Sequence, residues 1–400
     1  MTDGLGIIKF GDVCDFVRGP FGGSLKKSCF VEKGFAVYEQ QHAIYNQFTE
    51  IRYFIDEDKF NEMKRFELKP NDLIMSCSGT MGKVAIVPQN LKRGIINQAL
   101  LKLSPKNNLN VEYLRYWMTS PDFDSRIRTN SVGAAIKNVA SVKILKQIEV
   151  PVPSVEKQKE IVGILDQAFE SIEKAKANIE KNIENAKELF QSKANQIFSQ
   201  AGEGWEETNI GEIGKVSMCK RILKHQTSQT GEIPFYKIGT FGKEPNAYIN
   251  AETFNLFKEK YSYPKIGDIL LSASGTIGRR VIFDGKPAYF QDSNIVWIDN
   301  NEEIILNKYL YHFYEFCDWN PSKGATIKRL YNDDLRRIKI SYPTCLEKQK
   351  EIIEVIEILD NHIQSLLSLY EEELKNLEEL KKSILQKAFS GELTNKNKAA

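Results

Sequence analysis

The hexapeptide Glu156-Lys157-Gln158-Lys159-Glu160-Ile161 returns at residues 347–352, 191 positions later, and it is one point on a collinear series. At the same offset Ile172 pairs with Ile363, Leu189 with Leu380, Ser192 with Ser383, and Phe198-Ser199 with Phe389-Ser390. Running backwards, Gly133-Ala134 and Ile136-Lys137 match Gly324-Ala325 and Ile327-Lys328. Further upstream the offset is 196: Asp72-Leu73-Ile74 and Ser78-Gly79-Thr80-x-Gly82 match Asp268-Ile269-Leu270 and Ser274-Gly275-Thr276-x-Gly278. Near the start it is 200, from Gly11-Asp12-Val13 to Gly211-Glu212-Ile213. The shift from 200 to 191 leaves about nine extra residues in the loops of the first copy. Repetition on this scale constrains the architecture, because both copies must bury the same apolar faces. The chain reads as head, helix, head, helix.

The helices follow from spacing. Residues 155–200 contain no proline and one glycine, Gly163. Apolar or small side chains fall at 161, 165, 168, 172, 175 and 179, in alternating steps of four and three that make a heptad seam. An extra step of four then shifts the phase, and the second copy repeats the pattern through Ile352, Ile356, Leu359, Ile363, Leu366 and Tyr370. The expected helix–helix seam is Ile161, Leu165, Ile172 and Ile179 with Ile352, Ile356, Leu359 and Ile363. Each rod would be roughly 65–70 Å long at 1.5 Å per residue. A polar rod of that length is not stable alone, so the two are expected to pack antiparallel. Between 156 and 200, seven lysines face eight acidic residues, the balance of a solvated surface.

Each head reads as mixed strand and helix. The segments 69–79 and 264–275 are apolar strands bounded by turn residues, and 94–105 and 289–299 supply further strands. Aromatics at helical spacing (Tyr113, Tyr116, Trp117; Tyr309, Phe313, Phe316) read as core. Between these matched elements the heads are unlike. A shared frame with different loops suggests two sites of one kind and two specificities.

Those loops hold the side chains that suit phosphates and base edges: Arg18, Lys26, Lys27, Gln40, Gln41, His42 and Asn46 in head one. In head two they are Lys220, Arg221, Lys224, His225, Gln226 and Lys237. Arg and Lys match guanine edges and Asn and Gln match adenine. The S-G-T-x-G turns could present amides with Lys83 or Arg279-Arg280 to a phosphate, or serve as structural turns. Residues 323–339, with Lys323, Lys328, Arg329, Arg336, Arg337 and Lys339, form a locally basic stretch, from which Lys328 and Arg329 are taken as phosphate candidates.

Catalytic patterns are missing from this reading. There is no Walker sequence, no Gly-rich cofactor loop and no Asp/Asn-Pro-Pro-aromatic motif of amino-methyltransferases. Glu373-Leu374-Lys375 sits in a charged helix without a companion acid. Four histidines and six scattered cysteines (Cys14, Cys29, Cys77, Cys219, Cys317, Cys345) make no metal-ligand grouping, so no metal is expected and the compartment is read as reducing. No signal peptide or long apolar span is read, and cytoplasmic localisation is expected. The net charge of +2 does not by itself announce a nucleic-acid binder.

The duplication, the Gly11-Asp12-Val13 and Gly211-Glu212-Ile213 starts, the 71–82 and 267–278 strands, the P-x-x-E-K-Q-K-E-I helix start at Pro153 and the ending at 388–394 together resemble specificity subunits of type I restriction–modification enzymes. The second helix departs slightly, starting through Pro343-Thr344-Cys345-Leu346-Glu347, one residue longer. The resemblance implies an α+β fold of two mixed α/β target recognition domains joined by two long antiparallel coiled-coil helices. The implied boundaries are 1–152 and 204–342 for the heads, 153–203 and 343–391 for the helices, and 392–400 for a tail. It implies a non-catalytic subunit that reads a bipartite double-stranded DNA target for two modification (methyltransferase) subunits and for restriction subunits. S-adenosylmethionine, ATP and Mg would belong to those partners, leaving this chain without a cofactor. A bivalent DNA-binding subunit of another restriction or defence assembly, and a coiled-coil adaptor that binds no DNA, stay open at this level.

Overall fold

The computed structural model describes residues 6–106, 108–129, 141–319 and 329–393. The Gly133–Lys137 half of the repeat, its counterpart through Lys328, the candidate Lys328 itself and most of the tail lie outside them. The chain divides into two compact units, Met1–Ile179 with Glu372–Ala400, and Glu180–Glu371. This division cuts both long helices, Val155–Phe198 and Leu346–Ser390. Each unit therefore holds a head, the beginning of the helix that follows it, and the end of the other helix.

The head of the first unit contains nine strands: β1 (Ile7–Lys9), β2 (Cys14–Arg18), β3 (Phe35–Tyr38), β4 (Tyr53–Ile55), β5 (Leu73–Ser76), β6 (Val84–Ile86), β7 (Gly94–Ile96), β8 (Leu100–Pro105) and β9 (Glu149–Pro151). They form a four-stranded sheet β2-β8-β5-β6, a three-stranded sheet β4-β3-β7 and a ribbon β1-β9. The four-stranded sheet is antiparallel, whereas β3 runs parallel to β7. The second unit has β10 (Trp205–Asn209), β11 (Lys215–Ser217), β12 (Ile233–Tyr236), β13 (Tyr248–Ile249), β14 (Ile269–Ser272), β15 (Arg280–Ile282), β16 (Tyr289–Phe290), β17 (Ile295–Asp299) and β18 (Lys339–Pro343). Their order is β11-β17-β14-β15, β13-β12-β16 and β10-β18, again with one parallel pair, β12 with β16. The same frame is built twice.

The apolar runs explain why β5 and β14 sit where they do. All four residues of each are buried, as in a strand covered on both faces. Alternation sends Leu73 and Met75 to one core and Ile74 to another; Ile269, Leu271 and Leu270 divide in the same way. The first core of each unit continues into the long helices. In unit one, Ile161, Leu165 and Ile172 join Phe10, Trp117 and Phe389. In unit two, Ile352 and Ile356 join Tyr309, Phe313 and Phe198. The seam residues nearest each head thus serve the head's own core, while Ile179, Leu359 and Ile363 are half-buried. Within unit one the helices run antiparallel: Glu173 meets Lys381 at 2.9 Å and Lys176 meets Glu378 at 2.6 Å.

A buried glutamine locks each helix to its head. In the repeated hexapeptide, Gln158 accepts from the Asn110 amide (2.7 Å) and donates to the Asn108 and Pro153 carbonyls. Gln349 accepts from the Leu306 amide (2.9 Å) and donates to the Ile304 and Pro343 carbonyls. Both glutamines are fully buried, and each uses its one amide group on three backbone partners of the head and the helix entry. The tyrosines repeat as well. Tyr113 donates to the Pro151 carbonyl and packs edge-on against Phe389; Tyr309 donates to the Ser341 carbonyl and packs against Phe198.

Candidate nucleic-acid interface

Four connections converge at one edge of each head. In unit one these are the loop after β2, the end of β3, the turn between β7 and β8, and the S-G-T-x-G loop after β5. Gly19 donates to the Leu100 carbonyl and Asn97 to that of Tyr38, both at 2.9 Å; Ser78 Oγ donates to Gln40 Oε1 at 3.1 Å. The approach at Gly19 is close enough to exclude a side chain, since a Cβ there would lie 1.8 Å from the Asn97 carbonyl oxygen. Arg18 is exposed at this edge, Gln40 is half-buried beside Ser78, and Gln98 is exposed; Lys26 and Lys27 are exposed further along the loop after β2. Arg18 also bears on Cys77, whose thiol is pushed up to about 11 by burial, with Arg18 opposing the shift.

Unit two assembles the equivalent edge from different side chains. Gln291 donates its amide to the Tyr236 carbonyl, and its side-chain oxygen accepts from Ile238. Ser274 Oγ donates to Asn294 Oδ1 at 2.7 Å, and Arg221 Nε donates to Asp292 Oδ2 at 2.8 Å. Arg329 reaches the same turn, donating to the Ser293 carbonyl at 2.8 Å. Together they enclose a polar cleft of about 270 Å³ lined by Arg221, Lys224, Lys237, Gln291, Asp292 and Asn294, among others. Paired donors and acceptors on Gln and Asn beside guanidinium and ammonium groups suit base edges and phosphates.

The S-G-T-x-G loop proves to be a self-tied turn. Ser76, buried just before it, accepts from the Lys83 amide (3.0 Å) and donates to the Thr80 carbonyl (2.6 Å). Ser272 makes the same two bonds with Arg279 and Thr276. Gly79, Gly82, Gly275 and Gly278 all have positive φ, so the motif's glycines answer to the turn itself. Lys83 is exposed beside it.

One expected contact, His42, is corrected, and the structure places the others as follows. His42 is 0% exposed. Its Nδ1 accepts from the Glu39 amide at 2.8 Å, and its ring packs against Tyr38, so it caps the helix Gln40–Tyr45 and faces the core. Arg279 donates to the Phe241 carbonyl. Arg280 pairs with Glu315 and lies 4.5 Å from the centre of the Tyr311 ring, on the helix Asn307–Phe316 rather than the edge. Gln226 accepts from the Leu223 amide and holds its own turn. Lys220, Lys224, His225 and Lys237 are exposed, as is Asn46, which has left-handed backbone at the end of Gln40–Tyr45; Gln41 is half-buried. Burial raises the Cys14, Cys219 and Cys317 thiols, which are held protonated. Among the described residues no cluster of His, Cys, Asp and Glu could hold a metal ion, and no helix is long and apolar enough to cross a membrane.

The family model for the type I restriction modification DNA specificity domain matches this chain twice, over residues 3–185 and 202–378. The chain belongs to that family. Each match spans one head and the opening of the helix behind it, which is the repeat read above. The chain is 45% identical over 270 residues to a putative type I restriction enzyme specificity subunit, S.HindORF215P, of Haemophilus influenzae, covering 66% of this chain and 69% of that one. It is 24% identical over 428 residues to the type I restriction enzyme MjaVIII specificity subunit of Methanocaldococcus jannaschii, covering 98% and 93%. Among solved structures, a chain of a type I R-M system superposes with a TM-score of 0.73 at 16% identity, over 97% of this chain and 98% of that one. The HsdS subunit from Thermoanaerobacter tengcongensis gives 0.61 at 17%, covering 97% of each. At those identities the structures establish the fold, two repeated specificity domains with long helices.

Three features of the specificity domains escape sequence reasoning: the polar turn residues Asn97-Gln98 and Gln291–Asn294, the acid partner Asp292, and the helix lock at Gln158 and Gln349. A signal existed for the first, since both turns interrupt an apolar run otherwise read as continuous strand. Another lay in charge: residues 16–31 and 213–231, the first long connection of each domain, contain no acidic side chain.

Proposed function

We propose that this chain gives a type I restriction–modification system its DNA specificity by reading a two-part target, one half with each specificity domain. The observation that carries the reading is the edge built twice on one frame from unlike side chains. Phosphate contacts from the exposed lysines and arginines would supply affinity, and the amide and guanidinium groups of each edge would supply sequence. The long helices set the number of unspecified base pairs between the halves and dock two modification subunits, which methylate adenine; restriction subunits join that core. The chain itself catalyses nothing and binds no cofactor. S-adenosylmethionine, ATP and Mg act on the partners, and the assembly works in the cytoplasm.

Methylome sequencing of a host carrying this chain with its modification subunits tests the proposal. A methylated motif of two short blocks separated by a fixed run of unspecified bases is expected; one contiguous block, or no chain-dependent methylation, overturns it. The spacing role has its own test. Inserting one helical turn, about 5.4 Å, into both long helices should lengthen the spacer by one or two base pairs, at roughly 3.4 Å each. An unchanged spacer contradicts it.

A further inference from the structure

We infer that each specificity domain carries an apolar wedge in its first long connection, Phe21 in the first and Leu223 in the second, that enters the base stack of the DNA half it reads. The inference rests on the DNA-reading function proposed above and adds to it a role for two apolar side chains.

Phe21 is 92% exposed, the most exposed large apolar side chain among the described residues. It stands on an anchored loop. Gly19 is pressed against the Asn97 carbonyl, Pro20 and Leu25 are buried on either side, and the Phe21 carbonyl accepts from the Ser24 amide at 2.8 Å. Proline also fixes the backbone just before the ring. An aromatic ring held out on a tied loop has little entropy left to lose on insertion, which favours insertion over random contact. Its neighbours in the connection are Arg18, Lys26 and Lys27, with no acidic side chain from 16 to 31. A surface that pairs phosphate-seeking cations with one naked ring fits a partner made of charged backbone and stacked planes.

Unit two repeats the arrangement with unrelated sequence. Leu223 is 50% exposed between Arg221 and Lys224, both of which line the polar cleft. Gln226 fixes the turn by accepting from the Leu223 amide with its side chain and donating its own amide to the Leu223 carbonyl. Loops that share almost no residues, yet both place one apolar side chain among cations on a tied turn, point to a common task.

Apolar side chains inserted at a base step partly unstack and kink the duplex. Unstacking costs least at pyrimidine–purine steps such as TA or CA/TG, so a wedge adds a sequence preference at a position that no polar side chain touches. Part of each half-site would then be read through deformability.

The test uses the chain assembled with its modification subunits and a duplex bearing the motif found by methylome sequencing. 2-Aminopurine is placed in turn at each position of the first domain's half. With the native chain, fluorescence should rise at one step. Phe21→Ala should abolish that rise and weaken binding about tenfold, the scale of one lost base–aromatic stack, with the other half's profile unchanged. Phe21→Leu should retain most of the rise, and both variants should melt with the native chain because the ring packs on nothing. Leu223→Ala should act on the second half alone. Native-like binding and fluorescence for Phe21→Ala overturns the wedge while leaving the proposed function intact. Failure of the native complex to bind any two-part duplex overturns the function and the wedge with it.

Discussion

In unit one the space beside β5 and β6 is filled by the helix Gln40–Tyr45, which turns His42 and Ala43 inward against Tyr38 and Ile74. In unit two the chain leaves β12 through the turn at Lys237–Lys243 instead, and an open groove of about 740 Å³, lined by Tyr236, Phe241, Val281 and Phe290 among others, lies beside β15. The sheets on which these differences rest have the same order and the same parallel pair. At the joints to the long helices the buried glutamine and the tyrosine make the same backbone contacts in both copies. Where a part must hold a helix, the two copies agree; where it faces outward, they diverge. Evolution of a reader by duplication needs that separation, because a loop can change its target without loosening the joint.

The joint should tolerate least. Replacing Gln158 by Ala removes three hydrogen bonds between helix and head and empties a buried side-chain site, and should destabilise unit one by about 3 kcal/mol, at roughly 1 kcal/mol for each lost bond. Gln349→Ala should do the same to unit two. Denaturation followed by proteolysis mapped to each unit checks both; an effect at one glutamine and not the other would break the equivalence of the joints.

Gly19→Ala comes next. The added Cβ meets backbone, not a flexible side chain, so the loop after β2 must lift from the Asn97 turn at a cost of about 1–3 kcal/mol. Unit two enters its corresponding connection through Met218-Cys219, so the effect belongs to one domain. Loss of one half of the methylation motif with the other kept is the expected readout.

Arg221→Ala should cost about 1–3 kcal/mol of base discrimination in the second half-site, the scale of one good bidentate contact. Competition binding with single-base variants of both halves measures it, and equal relaxation of both halves would argue against separate readers.

The smallest expected effect is an asymmetry in pH. Tyr116 and Asp166 are hydrogen-bonded at the first joint, and His312 and Glu357 occupy the matching place at the second, with Nε2 3.6 Å from the carboxylate, longer than a hydrogen bond. Burial holds the His312 pKa below its ordinary value; Arg280 adds to this, while Glu357 and Glu315 oppose it. The folded state thus prefers the neutral ring, and the unfolded chain takes up the proton first. Stability from this group is complete above about pH 6.5 and is lost as pH falls toward the depressed folded value. Proteolysis at pH 7.5 and 5.5 should show unit two loosening more than unit one, and His312→Tyr should remove the difference.

The duplication, the long helices and the doubly buried strands were legible because they are written locally, in an offset, a heptad and an apolar run. The helix lock was not, although Gln158 lies inside the very hexapeptide that reveals the repeat: its partners Asn108 and Asn110 are about fifty residues away. The place of His42 is hidden in the sequence for a related reason. A polar side chain in a short amphipathic helix carries no local mark of which face it takes, and tertiary packing against Tyr38 decided it. Arg280 follows a glycine turn that looks suited to phosphate, yet strand alternation aims it at Tyr311 and Glu315. The outward edge gathers residues from four connections, and only folding brings Arg221 to Asp292 or Gln40 to Ser78.

The central claim is that two outward edges on one repeated frame read two halves of a target separately. Methylome sequencing of hosts carrying the native chain and a variant with Arg221, Lys224, Lys237 and Gln291 all changed to Ala tests it most directly. The account predicts that one block of the motif is relaxed or lost while the other block and the spacer persist. A variant that alters both blocks together, or leaves the whole motif as it was, contradicts it.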